Sequence, residues 1–188
     1  MKTVVLMGSP NKKGHTMTVV NELEKEMGGD FVYYNPYSLS FSPCNDCEYC
    51  HKKEGCCIQD DVQDMYKDLR DADNVIVASP MYFGMISGPL LSLLSRLQFC
   101  FSNTFHLKMK DPFKRKRGIF IMTAAQSWFN MYSPCRDTMK FIFDHMNAEH
   151  TAEILVENTD TVAVSEQPEV FKKIKDTAAL LRFLGAAG

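Results

Sequence analysis

The feature that most constrains this chain is the alternation of short apolar runs with longer segments of helical periodicity. Thr3–Met7, Phe31–Tyr34, Asn74–Ala78, Gly118–Thr123 and Ala152–Val156 each read as a strand, too short and too continuously apolar for a surface helix. Between and after them, helices are predicted over Thr16 to about Met27, Asp61–Leu69, Ser87 to about Phe101, Pro134 to about Asn147 and Glu169–Leu184. In the first helix Val19, Val20, Leu23 and Met27 recur at helical spacing, with Thr16 expected as its N-cap, and Asp60 or Asp61 is expected to cap the second. Five strands alternating with helices predict an α/β fold: a doubly wound five-stranded parallel sheet, order 2-1-3-4-5, with helices on both faces. No repeat or linker interrupts the pattern, so one domain over residues 1–188 is expected.

A sheet of this kind binds ligands beyond the carboxyl ends of its strands, which directs attention to the loops there. Bulk properties narrow the choice. The formal net charge of −2 gives no overall positive field for nucleic acid. The basic run Lys114-Arg115-Lys116-Arg117 reads as a solvated turn, or else as an attraction for a phosphorylated cofactor or an acidic redox partner. The apolar stretch Pro89–Phe101 is broken by Ser92, Ser95, Arg96 and Gln98, which argues against an ordinary membrane span. Met1-Lys2 leads directly into the first strand, with no targeting segment, so a cytoplasmic location is expected. There the 7 cysteines are thiols or metal ligands rather than disulfides.

Gly8-Ser9-Pro10-Asn11-Lys12-Lys13-Gly14-His15-Thr16 follows the first strand. Its hydroxyls, its amide and the open backbone donors of a helix N-terminus form a cradle for an anion such as phosphate. A capped turn without a ligand is the plainer reading, and His15 serves either as a phosphate donor or as a solvent-facing loop residue. The segment matches neither G-x-x-x-x-G-K-S/T nor G-x-G-x-x-G, which argues against an ATPase and a direct dinucleotide site. After the third strand, Ser79-Pro80-Met81-Tyr82-Phe83-Gly84 offers a fixed turn, backbone donors and an aromatic wall, suited to a planar ring or to covering the sheet edge.

In order and spacing these two loops resemble those of the NADPH-dependent FMN reductase family, within the flavodoxin-like superfamily. The resemblance covers roughly Lys2 to Arg96 and implies bound FMN. It implies that Ser9, Asn11 and Thr16, with Gly14 and His15 in the same cradle, hold the phosphate. Pro80, Met81, Tyr82, Phe83 and Gly84 would contact the ring, and Thr123 and Ala124 would form a third contact. Family members often carry a Lys and an Asp-Arg pair in the helix after the second loop; here Leu91 and Ser95 replace the Lys and the Asp, and Arg96 is kept. Homodimers or homotetramers are also implied.

The segment at about 41–58 is cysteine-rich: Cys44-x2-Cys47-x2-Cys50-x5-Cys56, with Cys57 adjacent. Thiolates so spaced can converge on a metal centre, and the motif resembles that of the iron–sulfur flavoproteins, a subgroup of these reductases. That implies a four-iron four-sulfur cluster on Cys44, Cys47, Cys50 and Cys56, although Cys57 leaves the fourth ligand ambiguous. A structural zinc site, normally built from more widely separated pairs, reduced thiols, and a disulfide such as Cys56 with a neighbour are the alternatives. Cys100 and Cys135 are isolated and read as packing residues.

Hydride transfer between stacked nicotinamide and flavin rings needs no amino-acid nucleophile, so the lack of a Ser–His–Asp pattern is expected. His106, His145 and His150 show no ligand spacing, while Trp128, Phe129 and Tyr132 read as a lid or as packing. The expected function is an FMN-dependent NAD(P)H oxidoreductase passing electrons to a quinone, flavin, small-molecule or protein acceptor. A non-enzymatic electron-transfer iron–sulfur flavoprotein is the alternative.

Overall fold

The computed structural model describes residues 1–186, so the last two residues of the expected 1–188 domain lie outside it. Five parallel strands, β1 (Lys2–Met7), β2 (Asp30–Tyr34), β3 (Asn74–Tyr82), β5 (Lys116–Thr123) and β6 (Ala148–Val156), stand in the order β2-β1-β3-β5-β6. This is the expected 2-1-3-4-5 arrangement. A sixth strand, β4 (Met85–Ile86), turns back antiparallel on the end of β3.

The central strands are apolar throughout because both of their faces are buried. Alternate residues of β1 enter different cores. Val4 and Leu6 face a cluster that includes Val62, Leu69, Leu90, Leu93 and Phe143. Val5 and Met7 face another, built with Val19, Val20, Leu23, Ile174 and Leu181. The first face is thus covered by helices α2 (Val62–Asp71), α3 (Gly88–Leu94), α4 (Gln98–Leu107) and α5 (Ser133–His145). The second carries α1 (His15–Met27) and α6 (Pro168–Ala186).

Several expectations change. The helix expected over Ser87–Phe101 starts at Gly88 and divides at a 3-10 turn, Ser95–Leu97, which re-aims α4 toward the cysteine segment. Thr16 is not the N-cap of α1: Gly14 is, without a side-chain capping bond, and Thr16 lies buried one residue inside the helix. For α2 the N-cap is Asp61, without a side-chain bond of its own, and the preceding Asp60 accepts from the Val62 amide through Oδ1 at 3.2 Å. The basic run lies at the amino end of β5, the opposite end of the sheet from the candidate loops, so it is no cofactor attraction. Neither is it wholly solvated. Lys114 and Arg115 pair with Asp73 and Glu149, while Lys116 is buried. Among the described residues no helix is long and apolar enough to cross a membrane.

Candidate functional site

The carboxyl ends of β1, β3 and β5 bring three loops to one end of the sheet. The loop 8–14 closes on itself: the Asn11 backbone amide donates to Ser9 Oγ at 3.3 Å, and the Lys13 amide donates to Asn11 Oδ1 at 2.9 Å. Ser9 is buried and its carbonyl accepts from Asn35 Nδ2 at 2.8 Å, whereas Asn11 is exposed and His15 is half-buried. Gly8 is required by close approach, since a Cβ there would stand 2.8 Å from both Leu90 Cδ2 and Ser87 Oγ. The loop delivers the chain to the start of α1, whose first amides have no intrahelical partner.

Thr16 is engaged elsewhere. Its hydroxyl lies 2.7 Å from that of Thr123, and this buried contact ties α1 to the end of β5.

The second loop is a hairpin rather than irregular chain. Tyr82 pairs with Met85 across the two-residue turn Phe83-Gly84, at φ of 52° and 77° respectively. Positive φ at both positions is the type I′ pattern that suits tight hairpins. Glycine adopts it freely, whereas Phe83 does so at a conformational cost and with its side chain wholly exposed. Cys135 Sγ donates to the Gly84 carbonyl at 3.1 Å, which locks the turn onto α5. Met81, Phe83 and Gly84 then face Ala124, Ala125, Gln126 and Trp128 across a cleft of about 410 Å³. Trp128 is half-exposed in this cleft and Phe129 projects into solvent. Tyr132 is no lid residue: it is buried and its hydroxyl donates to the Val156 carbonyl at 3.3 Å.

All five clustered cysteines line a second cavity, between the 44–57 segment and α4. Cys44, Cys47 and Cys57 are exposed, Cys50 and Cys56 half-buried. The thiols of Cys47 and Cys57 touch at 3.5 Å. The Cys47 thiol is held below its ordinary pKa, first by a backbone hydrogen bond at Tyr49 and then by Cys57. Asp46 and Glu48, on either side of Cys47, have left-handed backbone. The free space is only about 20 Å³, so a cluster would need exposed thiols to swing outward. Among the described residues no three Cys, His, Asp or Glu side chains converge on one point. A mononuclear zinc needs that convergence; a four-iron cluster takes each thiolate on a different iron, with ligands set around the cavity.

Side chains that sequence reasoning missed hold this segment. Arg96, fully buried, donates through Nη1 to the Ser42 carbonyl at 2.9 Å and to Asp60 Oδ2 at 2.6 Å, and through Nη2 to the Ile58 carbonyl at 3.1 Å. One guanidinium therefore ties together the two ends of the loop. Burial opposes the charge of Asp60, but the Arg96 bond and the Ser42 amide outweigh it and hold the carboxyl below its usual range. Asn103 grips the tip, donating to the Cys50 and Lys53 carbonyls at 2.9 and 3.2 Å and accepting from the Gly55 amide at 2.8 Å. The available signal was Arg96 and Asn103, each the one residue of its type in the mostly apolar stretch from Leu90 to Leu107.

The family model for NADPH-dependent FMN reductase matches residues 1–160. An iron–sulfur flavoprotein of Methanocaldococcus jannaschii is 36% identical over 99 residues, covering 51% of this chain and 50% of that protein. The chain spans about half the length of the first curated relatives it matches. Among solved structures, an NAD(P)H:quinone oxidoreductase from Methanothermobacter marburgensis superposes with a TM-score of 0.71 at 12% identity, over 95% of this chain and 94% of that one. An FMN-dependent NADH-azoreductase from Bacillus anthracis, in complex with FMN, gives 0.67 at 12% identity over 96% and 99%. At such identity these structures establish likeness of fold: flavodoxin-like.

Proposed function

Because the chain belongs to the NADPH-dependent FMN reductase family, we propose that it is an FMN-dependent NAD(P)H oxidoreductase serving a quinone, flavin, small-molecule or protein acceptor. The observation that carries this reading is the meeting of an open helix N-terminus and an aromatic hairpin cleft at one end of the sheet. The first-turn amides of α1, with Ser9 and Asn11 Nδ2, bind the phosphate, and Gly14 and His15 complete the cradle. Thr16 contributes its amide, while its hydroxyl fixes the helix against Thr123. Pro80, Met81, Tyr82, Gly84, Thr123 and Ala124 present backbone groups and a polarizable side chain to the ring. Phe83 and Trp128 flank the cleft and restrict water. Bound FMN supplies hydride acceptance and electron redelivery, chemistry that no side chain here provides. No residue is assigned a catalytic role.

A second reading, an electron-transfer iron–sulfur flavoprotein, is favoured by the five-cysteine cavity and by the curated relatives of that name. Cys44, Cys47, Cys50 and Cys56 would hold a four-iron four-sulfur cluster, which supplies one-electron transfer. Either role suits a reducing compartment such as the cytoplasm, one domain over 1–188 and a homodimer or homotetramer.

The test is reconstitution with excess FMN, desalting, and anaerobic mixing with NADH or NADPH. Retained flavin absorbance that bleaches with a nicotinamide is expected. A chain that keeps no flavin overturns the FMN reading. Bleaching only by reduced ferredoxin favours the carrier.

A further inference from the structure

The cysteine loop holds two thiols against each other. Cys47 Sγ and Cys57 Sγ stand 3.5 Å apart although 10 positions separate them in sequence, and both residues are exposed. Sulfurs at that distance are in van der Waals contact. A disulfide bond of about 2 Å needs only a small further rotation of two surface side chains. The other thiols are differently placed. Cys50 and Cys56 are half-buried and pack against the apolar core, and Cys100 and Cys135 are buried.

Both halves of the loop keep the pair in place. Asp46 and Glu48 flank Cys47 with φ of 56° each, a left-handed backbone that non-glycine residues adopt at a cost and that clusters at functional sites. The 3-10 turn that follows, Tyr49–His51, is closed by the His51 amide on the Glu48 carbonyl at 3.1 Å. On the other side Gln63 Nε2 donates to the Cys56 and Ile58 carbonyls at 3.3 and 2.6 Å, and so grips the chain before and after Cys57. Arg96 and Asn103 fix the ends and the tip of the loop between them. Bringing two cysteines together in a flexible chain costs loop-closure entropy, and here the fold has already removed that obstacle.

We infer that Cys47 and Cys57 form a reversible redox pair, a thiol–disulfide modification site that takes a low-molecular-weight disulfide as its oxidant. The thiolate of one cysteine attacks a sulfur of the small disulfide. That S–S bond breaks, and the small thiolate that leaves takes up the proton the cysteine gave up. The thiolate of the second cysteine then attacks the protein sulfur of the mixed disulfide and displaces the other small thiol. Two electrons and two protons leave the cysteines and reappear on the two small thiols, and an excess of those thiols reverses both steps. Such transient, redox-sensing pairs are the kind of disulfide that a reducing compartment tolerates. Cys47 bonded to Cys57 is withdrawn from iron, so the inference does not rest on the cluster reading, and it uses no residue of the flavin cradle.

The test equilibrates the full chain, purified without added iron or sulfide, with reduced and oxidised glutathione in a series of ratios under anaerobic conditions. Samples are quenched in acid and alkylated, free thiols are counted on the denatured chain, and bound iron is measured alongside. Trypsin cleavage at Lys52-Lys53 puts the two cysteines on separate peptides, so their bond shows as a linked pair that tandem mass spectrometry assigns. Wild type should lose two of its 7 thiols together as the mixture becomes oxidising, with Cys47 joined to Cys57. Cys47→Ser and Cys57→Ser should each leave the remaining partner as a mixed disulfide with glutathione, whereas Cys44→Ser should behave as wild type. Linkage of a different pair, glutathione adducts without an intramolecular bond, or thiols that resist oxidation with or without bound iron overturns the inference. Flavin retention, measured separately, decides the FMN reading whichever way the thiols behave.

Discussion

At the residue scale the most consequential pair is Arg96 with Asp60. The guanidinium has no solvent exposure whereas the carboxylate is partly exposed, so removing Asp60 leaves the Arg96 charge without water to satisfy it. Breaking a buried pair costs about 3 to 5 kcal/mol, against about 0 to 1 kcal/mol for an exposed pair such as Arg115–Glu149. Asp60→Ala is expected to lower the urea midpoint at neutral pH by the larger amount. The pH dependence has a definite sign. Because the folded carboxyl is depressed, its contribution is present above the unfolded value of about 3.9 and is lost as pH falls through the lower folded value. The gap between wild type and Asp60→Ala should therefore narrow only in acid, as denaturant melts at pH 7 and pH 3 will measure.

At the element scale β5 carries a buried cation at its start. Lys116 Nζ donates to the Lys114 and Met146 carbonyls at 2.6 and 3.0 Å, and burial pushes its pKa from the ordinary 10.5 down to about 8. Between those values the unfolded chain binds the proton and the folded chain does not, so this residue makes stability rise with pH. Wild type should gain on Lys116→Met by on the order of 2 kcal/mol between pH 8 and pH 10. Urea unfolding at the two pH values checks this, and a gap independent of pH would contradict it. α4 is an element of another kind: Asn103 makes three bonds to the cysteine loop. Asn103→Ala should speed proteolytic cleavage within 44–57 while leaving the sheet core protected, as limited proteolysis with mass analysis will show.

At the scale of the whole molecule one surface lacks cover. Leu91 and Phe141 stand exposed around a groove of about 320 Å³ that also includes Leu94 and Ile142, with Phe101 and Phe105 stacked nearby at 5.4 Å. Contiguous apolar surface of this kind suits a self-complementary contact, in keeping with the proposed homodimer or homotetramer. Phe141→Glu is expected to lower the mass measured by light scattering toward that of a monomer, with unchanged circular dichroism. Unchanged mass would place the contact elsewhere.

The architecture was legible in the chain because strand and helix periodicities are local. A strand buried on both faces is predominantly apolar, so β1, β3 and β5 declare themselves, and their alternation with helices carries the order of the sheet. The glycine-bounded loop and the C-x2-C-x2-C run were readable for the same reason: contiguous residues carry their chemistry. Contacts between residues far apart in sequence were not. Thr16 looks like a cap until Thr123, 107 positions later, takes its hydroxyl. Pro80–Gly84 looks like a loop until Met85 pairs back on Tyr82. Lys116 looks solvated until the end of α5 brings the Met146 carbonyl onto it. Above all, Arg96 and Asn103 are ordinary interruptions of an apolar stretch in the sequence. Only folding, which withdraws water and brings them against the two ends and the tip of the cysteine loop, gives them a role.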